Sequence, residues 1–206
     1  MDGKKEPKNG KPIDLTQGKL VLIIGPSGVG KSVILKRLRK LHPEFHFPRS
    51  ATTRPRRPGE GDDLYHFVTK QQMDDLIAHD KVLEWAIVHG GERYATMVDE
   101  IIPFIKGGKT VVREVDVQGF VSIQSNPLFH GENAYALQSI FILPESTQQL
   151  IKHITKRAPM SDDEMKRRLQ SMDKELQYAD HCTAKVINRE GKIDDTIRTV
   201  EKLIAR

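Results

Sequence analysis

The sequence feature that most constrains the fold is an eight-residue run, Gly-Pro-Ser-Gly-Val-Gly-Lys-Ser, at positions 25–32. It matches in full the pattern G-x-x-x-x-G-K-[ST], in which backbone N–H groups cradle phosphates and the lysine reaches their terminal oxygens. A short apolar run at 19–24 precedes it, and apolar residues spaced three and four apart follow it over 31–41. These patterns predict a buried strand and an amphipathic helix. A strand, a glycine loop and a helix in this order predict a phosphate site at the helix N-terminus.

The rest of the chain alternates between helical and strand patterns. We predict further helices over 70–79, 98–106 (with Pro103 as a kink or an early stop), 146–156, 161–178 and 194–205, and further strands over 82–88, 109–115, 139–143 and 185–188. Strands that alternate with helices indicate an α/β fold, in which a mostly parallel sheet is covered on both faces. Connections between such strands are expected to be right-handed.

Composition narrows the possible partners and the compartment. The chain has 33 Lys and Arg against 28 Asp and Glu, a net charge of +5, which leaves nucleic acid, a membrane surface and phosphorylated small molecules open as partners. The single cysteine, Cys182, cannot form an internal disulfide and reads as an ordinary thiol, so a reducing cytoplasm is the default. Residues 1–18 are polar and rich in Lys, Gly and Pro, which predicts a disordered tail. No apolar run approaches the length of a membrane-spanning helix.

A second candidate anion site follows the first helix. The segment 50–60, Ser-Ala-Thr-Thr-Arg-Pro-Arg-Arg-Pro-Gly-Glu, places three arginines within four residues beside several hydroxyl groups. One guanidinium group can donate two parallel hydrogen bonds to phosphate oxygens, so this segment is a candidate phosphate clamp. A solvated basic loop and a nucleic-acid patch are the alternatives. A phosphate loop with a second clamp favours two phosphorylated substrates held face to face, as in a nucleoside monophosphate kinase.

Two carboxylates close the predicted strand 109–115. Glu114 and Asp116 are two residues apart, so on a strand they would face the same side. They would lie at the carboxyl edge of the sheet, where open α/β folds bind ligands. We therefore expect at least one of them to contact a ligand.

With these motifs in place, the chain resembles the guanylate kinase family, a family of P-loop NTPases, from Gly18 to the C-terminus. The resemblance is carried by ordered motifs: GPSGVGKS, SATTRPRRPGE, Leu64-Tyr65-His66-Phe67, Leu83-Glu84-Trp85-Ala86, Tyr94-Ala95-Thr96 and Glu114-Val115-Asp116-Val117-Gln118-Gly119, continued by Lys156-Arg157, Lys166-Arg167-Arg168-Leu169 and Val186-Ile187-Asn188.

The resemblance implies a fold and a reaction. The fold would be a three-layer α/β/α P-loop core (19–49, 97–145 and 179–206) with a small α+β GMP-binding insert (50–96) and a helical lid (146–178). The reaction would transfer the γ-phosphoryl group of ATP to GMP or dGMP with Mg²⁺. The partners would be these small molecules, with neither nucleic acid nor membrane, and the chain a monomer or a homo-oligomer.

The resemblance also assigns roles to residues. Those expected to hold ATP are Gly25, Pro26, Ser27, Gly28, Val29, Gly30, Lys31, Ser32 and Asn188, with Ser32 on Mg²⁺ and Asp116 reaching the ion through water. Those expected on the GMP phosphate are Ser50, Arg54, Arg57, Tyr65 and Tyr94, and those on guanine are Glu84 and Thr96, with Glu114 and Asp116 nearby. Those expected to act on the transferring phosphoryl group are Lys31, Arg54, Arg57, Arg157 and Arg168.

Chemistry supports the guanine assignment. Guanine presents N1–H and N2–H₂ donors on one edge, for which a carboxylate is the natural acceptor, while a hydroxyl can donate to O6. Several positions depart from the family pattern, among them His153, which stands where the lid usually has arginine, and Ala95, which stands where a glycine is expected. Two alternatives therefore stay open, a non-catalytic binding module of the same shape and a P-loop kinase with another phosphorylated acceptor.

Overall fold

Two four-stranded sheets and their helices make up the described part of the computed structural model, which comprises residues 18–87, 91–157 and 161–206, without the side chains at 156, 157 and 162. The tail at 1–17 lies outside it. The strands are β1 (Lys19–Ile24), β2 (Ser50–Thr52), β3 (Tyr65–Phe67), β4 (Val82–Ile87), β5 (Arg93–Met97), β6 (Thr110–Glu114), β7 (Ala136–Pro144) and β8 (Ala184–Asn188). The helices are α1 (Lys31–Leu41), α2 (Lys70–Ala78), α3 (Ile102–Lys106), α4 (Val117–Ser125), α5 (Thr147–Arg157), α6 (Asp162–Leu176) and α7 (Ile193–Ile204), with 3₁₀ turns at Val98–Glu100 and Gln177–His181.

The first sheet forms the middle layer of an α/β/α core. Its strands run in the order β6-β1-β7-β8, and all neighbouring pairs are parallel. Successive side chains of a strand point to opposite faces. Leu20 and Leu22 of β1 therefore pack with α3 and α4, whereas Val21 and Ile23 pack with α1 and α7. The predicted parallel sheet, buried on both faces, is confirmed.

The second sheet is smaller and mixed. Its order is β3-β2-β5-β4, with β2 and β3 parallel and the other two pairs antiparallel. With α2 it encloses a small core of Ala51, Met73 and Ala95, each fully buried. The alanine that departs from the family pattern thus places its methyl group inside this core.

The segment 98–106 corrects a prediction. It is not one helix interrupted at Pro103, because a 3₁₀ turn, Val98–Glu100, is followed by a break at Ile101 and then by α3. Pro103 lies in the first turn of α3, where a missing N–H group costs nothing. No helix in the described ranges is both long and apolar enough to cross a membrane.

Candidate functional site

The phosphate loop joins β1 to α1 in a conformation that requires glycine. Gly25, Gly28 and Gly30 have φ angles of 147°, 84° and 103°. A Cβ at Gly25 would lie 2.4 Å from the carbonyl oxygen of Ile142, and one at Gly30 would lie 2.8 Å from Asn188 Nδ2. Ile142 and Asn188 therefore leave no space for a side chain at these two glycines and hold the loop in its conformation. The N–H groups at the start of α1 then face the region where the motif places a phosphate.

Lys31 lies folded over this loop. Its ammonium donates to the carbonyl oxygens of Gly25 (2.7 Å) and Pro26 (3.1 Å) and lies 3.8 Å from a carboxylate oxygen of Glu114. Burial raises the pKa of Glu175 on α6, and the charge of Lys31 acts in the opposite direction. The ammonium group of Lys31 thus lies beside the phosphate loop, near the end of β6 and close enough to α6 to act on Glu175.

The carboxylates at the end of β6 do not share a strand. The strand ends at Glu114, and Asp116 is the N-cap of α4, where its Oδ1 accepts from Gly119 N at 2.7 Å. The prediction that both face one side of a strand is wrong, because a short polar side chain that can accept from the N3 amide starts a helix here. Both residues nevertheless lie at the carboxyl edge of the sheet, and Ser32 is exposed nearby at the start of α1.

A cleft of about 380 Å³ opens beside the loop. Its lining includes Gly30, Val33, Gln149, His153 and Asn188. Asn188 is buried and its amide is already engaged, because Nδ2 donates to the Val29 carbonyl at 2.8 Å and Oδ1 accepts from Thr196 Oγ1 at 2.9 Å. Asn188 therefore supports the loop from the end of β8, at the floor of the cleft.

The candidate phosphate clamp is assembled around Arg54. Its guanidinium donates to both carboxylate oxygens of Glu60 (2.9 and 2.7 Å), and its Nε donates to Tyr94 Oη at 3.1 Å. The ring of Tyr65 lies 5.3 Å from the guanidinium carbon and packs edge-on against Tyr94. Hydrogen bonds from Arg54 lower the pKa of Glu60 to about 2. Arg57 is exposed at the rim, where its backbone N–H donates to Glu60 at 3.0 Å.

Glu84 and Thr96, the residues expected on guanine, lie between the second sheet and α4. Thr96 donates its hydroxyl proton to Glu84, which faces it across the β4–β5 pair. Burial raises the pKa of Glu84. Helix α4 passes so close that a Cβ on Gly119 would lie 3.4 Å from Glu84 Cδ. A carboxyl group held in this way faces away from bulk water.

Sequence reasoning missed Arg113 on β6, a residue of this site. Its Nη2 donates to Ser50 Oγ at 3.0 Å and lies 3.8 Å from Glu84 Oε1, and the side chains of Arg113 and Glu84 are only 11% and 12% exposed. The available signal was an arginine directly after the apolar pair Val111-Val112 in the predicted strand 109–115. A second missed residue, Glu100, accepts from Arg49 (3.0 Å) and is bonded to His66 (2.7 Å), which ties β3 to the core.

The residues of the predicted lid come together only in part. His153 on α5 donates from Nδ1 to the Gly28 carbonyl at 3.1 Å, so α5 contacts the phosphate loop. Lys152 pairs with Glu190 at 2.5 Å across the cleft. Arg168 pairs with Glu164 on its own helix instead, at 2.9 Å. The side chain of Arg157 lies outside the described residues.

Comparison with known proteins points to one family. A model of the guanylate kinase family matches residues 17–206. A guanylate kinase of Nostoc sp. is 38% identical over 172 residues, covering 83% of this chain and 82% of the relative. A guanylate kinase of Gloeobacter violaceus is 34% identical over 196 residues, covering 95% of this chain and 91% of the relative.

A solved structure has the same fold. The crystal structure of guanylate kinase from Anaplasma phagocytophilum superposes with a TM-score of 0.68 at 21% identity, covering 92% of this chain and 86% of that one. The two sequence matches cover 83% and 95% of this chain, and the family model covers residues 17–206. The chain belongs to the guanylate kinase family.

Proposed function

We propose that this protein transfers the γ-phosphoryl group of ATP to GMP or dGMP, giving ADP and GDP. The observation that carries the proposal is the placement of two sets of contacts on consecutive residues of β6. Glu114 lies 3.8 Å from Lys31 of the phosphate loop, while Arg113 donates to Ser50 and lies 3.8 Å from Glu84. A donor phosphate site and a guanine-reading carboxylate would therefore meet at the carboxyl end of this strand.

On the donor side, the loop 25–32 receives the triphosphate. The carbonyl oxygens that now accept from Lys31 are neutral, whereas phosphate oxygens are charged and form stronger hydrogen bonds. Lys31 is therefore expected to move onto the β- and γ-phosphates when ATP binds. The cleft beside α1, which has Asn188 at its floor, is large enough to receive the adenine base of ATP.

The residues present fit a Mg²⁺ ion. Ser32 is exposed at the start of α1, and Glu114 and Asp116 lie at the adjacent strand edge. Hydroxyl and carboxylate oxygens are the ligands Mg²⁺ prefers, and it usually keeps several waters and phosphate oxygens in its shell. When bound, the ion neutralises charge between the β- and γ-phosphates. We propose that Ser32 holds it directly and Asp116 through water.

On the acceptor side, the phosphate of GMP is assigned to Ser50, Arg54, Arg57, Tyr65 and Tyr94. Guanine is assigned to Glu84 and Thr96. The attacking atom is a phosphate oxygen that is already anionic, so no strong general base is required. What the protein must supply is alignment, exclusion of water and positive charge on the transferring group. We assign that charge to Lys31 and the clamp, and to Arg157 and Arg168 when the lid closes.

Release of ADP in a coupled assay tests the proposal. With Mg²⁺ and ATP present, addition of millimolar GMP is expected to start ADP release, and omission of GMP is expected to leave only background hydrolysis. A rate that does not depend on GMP would contradict the proposal and favour a binding module.

We also propose a cytoplasmic location, because the single cysteine, Cys182, cannot form an internal disulfide.

A further inference from the structure

Arg113 is a buried cation that the sequence motifs do not explain. It sits on β6, where the other described side chains of the strand include the buried Val111 and Val112. Its Nη2 donates to Ser50 Oγ and its Nη1 to the Pro48 carbonyl at 3.5 Å, while Nε has no hydrogen-bond partner among the described residues. Burying an arginine with an unpaired N–H is unfavourable. A functional role for Arg113 would account for this unfavourable burial.

The first consequence of this cation concerns Glu84. Burial and the nearby Asp116 act to raise the pKa of Glu84, and the Thr96 hydroxyl and Arg113 act to lower it. Within the described chain, Arg113 is thus the cation acting on this carboxyl group. A protonated carboxyl would present an O–H to guanine and lose the capacity to accept from both N1–H and N2–H₂. Guanine recognition therefore requires the negative charge that Arg113 favours.

The second consequence concerns Ser50. Because Arg113 donates to the Ser50 oxygen, the serine's own proton is directed to another acceptor. Ser50 pairs in register with Tyr65 on β3 and Thr96 on β5, between the phosphate clamp and the guanine reader. A hydroxyl oriented in this way is suited to donate to an acceptor phosphate.

We propose that Arg113 is a positioning and specificity residue for the acceptor: it keeps the buried Glu84 carboxylate ionised and orients Ser50, so that one buried guanidinium sets both ends of the GMP site. The proposal rests on the proposed function. Arginine suits the role better than lysine because its planar fork holds two partners at fixed angles and it stays protonated when buried. Burial lowers the pKa of Arg113, and Glu84, Glu114, Tyr65 and Glu100 act in the opposite direction.

The test is the pH dependence of kcat/KM for GMP in Arg113→Met and Arg113→Lys. Removing the charge is expected to raise the pKa of Glu84 further, so that the acidic fall in kcat/KM begins at least about one pH unit higher in the methionine variant. Its KM for GMP is expected to rise about tenfold or more, with the KM for ATP within about twofold of wild type. The phosphate of GMP titrates identically with every variant, so the displacement reports on the protein.

The lysine variant and a double variant separate this role from a structural one. Arg113→Lys keeps the charge and is expected to leave the acidic limb where wild type has it, with only a raised KM for GMP. In a Glu84→Gln background, Arg113→Met is expected not to move the limb. Three results would overturn the proposal. The acidic fall in kcat/KM could stay at the wild-type pH in Arg113→Met, it could be displaced equally by Lys and Met, or the KM values for GMP and ATP could rise equally. Absence of GMP turnover in wild type would instead refute the proposed function.

Discussion

The donor and acceptor halves of the site are held in different ways. The phosphate loop is fixed by backbone: glycine conformations, a helix start and a core that leaves no space for a Cβ. The acceptor half is fixed by side-chain charge pairs, Arg54 with Glu60, Arg113 with Glu84, and Arg49 with Glu100. Under the proposed function, a rigid backbone nest would bind the phosphates of ATP, whereas charged side chains that must stay in a particular protonation state would bind GMP.

The largest expected effect tests the donor half. Lys31→Ala is expected to lower kcat by at least about a hundredfold, because it removes a preorganised cation from the transferring phosphate. Thermal unfolding should change little. Lys36→Ala, an exposed residue on the same helix, is the matched control and should retain the wild-type rate. Equal rates in the two variants would break the donor assignment.

The next effect tests the acceptor half. Glu84→Gln keeps the size of the side chain but removes its charge, and is expected to lower kcat/KM for GMP about ten- to a hundredfold. The loss should appear mainly in the KM for GMP, measured by varying GMP at saturating ATP. Asp75→Asn, an exposed acid on α2 of the same region, should have no such effect. Unchanged discrimination between GMP and AMP in Glu84→Gln would show that the base is read elsewhere.

A pair of glycines sharpens the contrast in rigidity. Gly25→Ala is expected to cost on the order of 2 kcal/mol or more, since the new Cβ meets a carbonyl oxygen and the backbone is strained. Gly59→Ala in the acceptor loop has a φ of 75° with nothing within 4 Å, and about 1 kcal/mol is expected. Urea unfolding of both variants measures the difference. A cost at Gly59 that equals or exceeds the cost at Gly25 would contradict the contrast.

The smallest effect is a pH dependence of the clamp. The pKa of Glu60 lies at about 2 in the folded chain, against an ordinary value of 4.5. Its contribution to stability is therefore complete above the ordinary value and is lost as the pH falls through about 2. In urea unfolding, wild type should exceed Glu60→Gln at neutral pH, and the gap should close on acidification. A gap independent of pH would show that Glu60 acts through packing.

The same contrast explains what the sequence could predict. The strand β1, the loop 25–32 and the helix α1 are contiguous, so periodicity and spacing predict them together. The strands β2 and β3 have three residues each, too few to show a period. The Arg113–Ser50 contact joins residues 63 positions apart and depends on sheet packing that no local pattern encodes. Asp116 was misplaced for a local reason, because an N-cap and a strand end use the same polar residue types.

The most direct test of the account is the ratio of kcat/KM for GMP to that for AMP in the wild-type protein, with dGMP and UMP as further acceptors. A buried, ionised Glu84 leaves unpaired groups when adenine enters, so a preference of at least about a thousandfold for GMP is expected. AMP turned over within about tenfold of GMP would contradict the account, because the carboxylate of Glu84 would then not read the base.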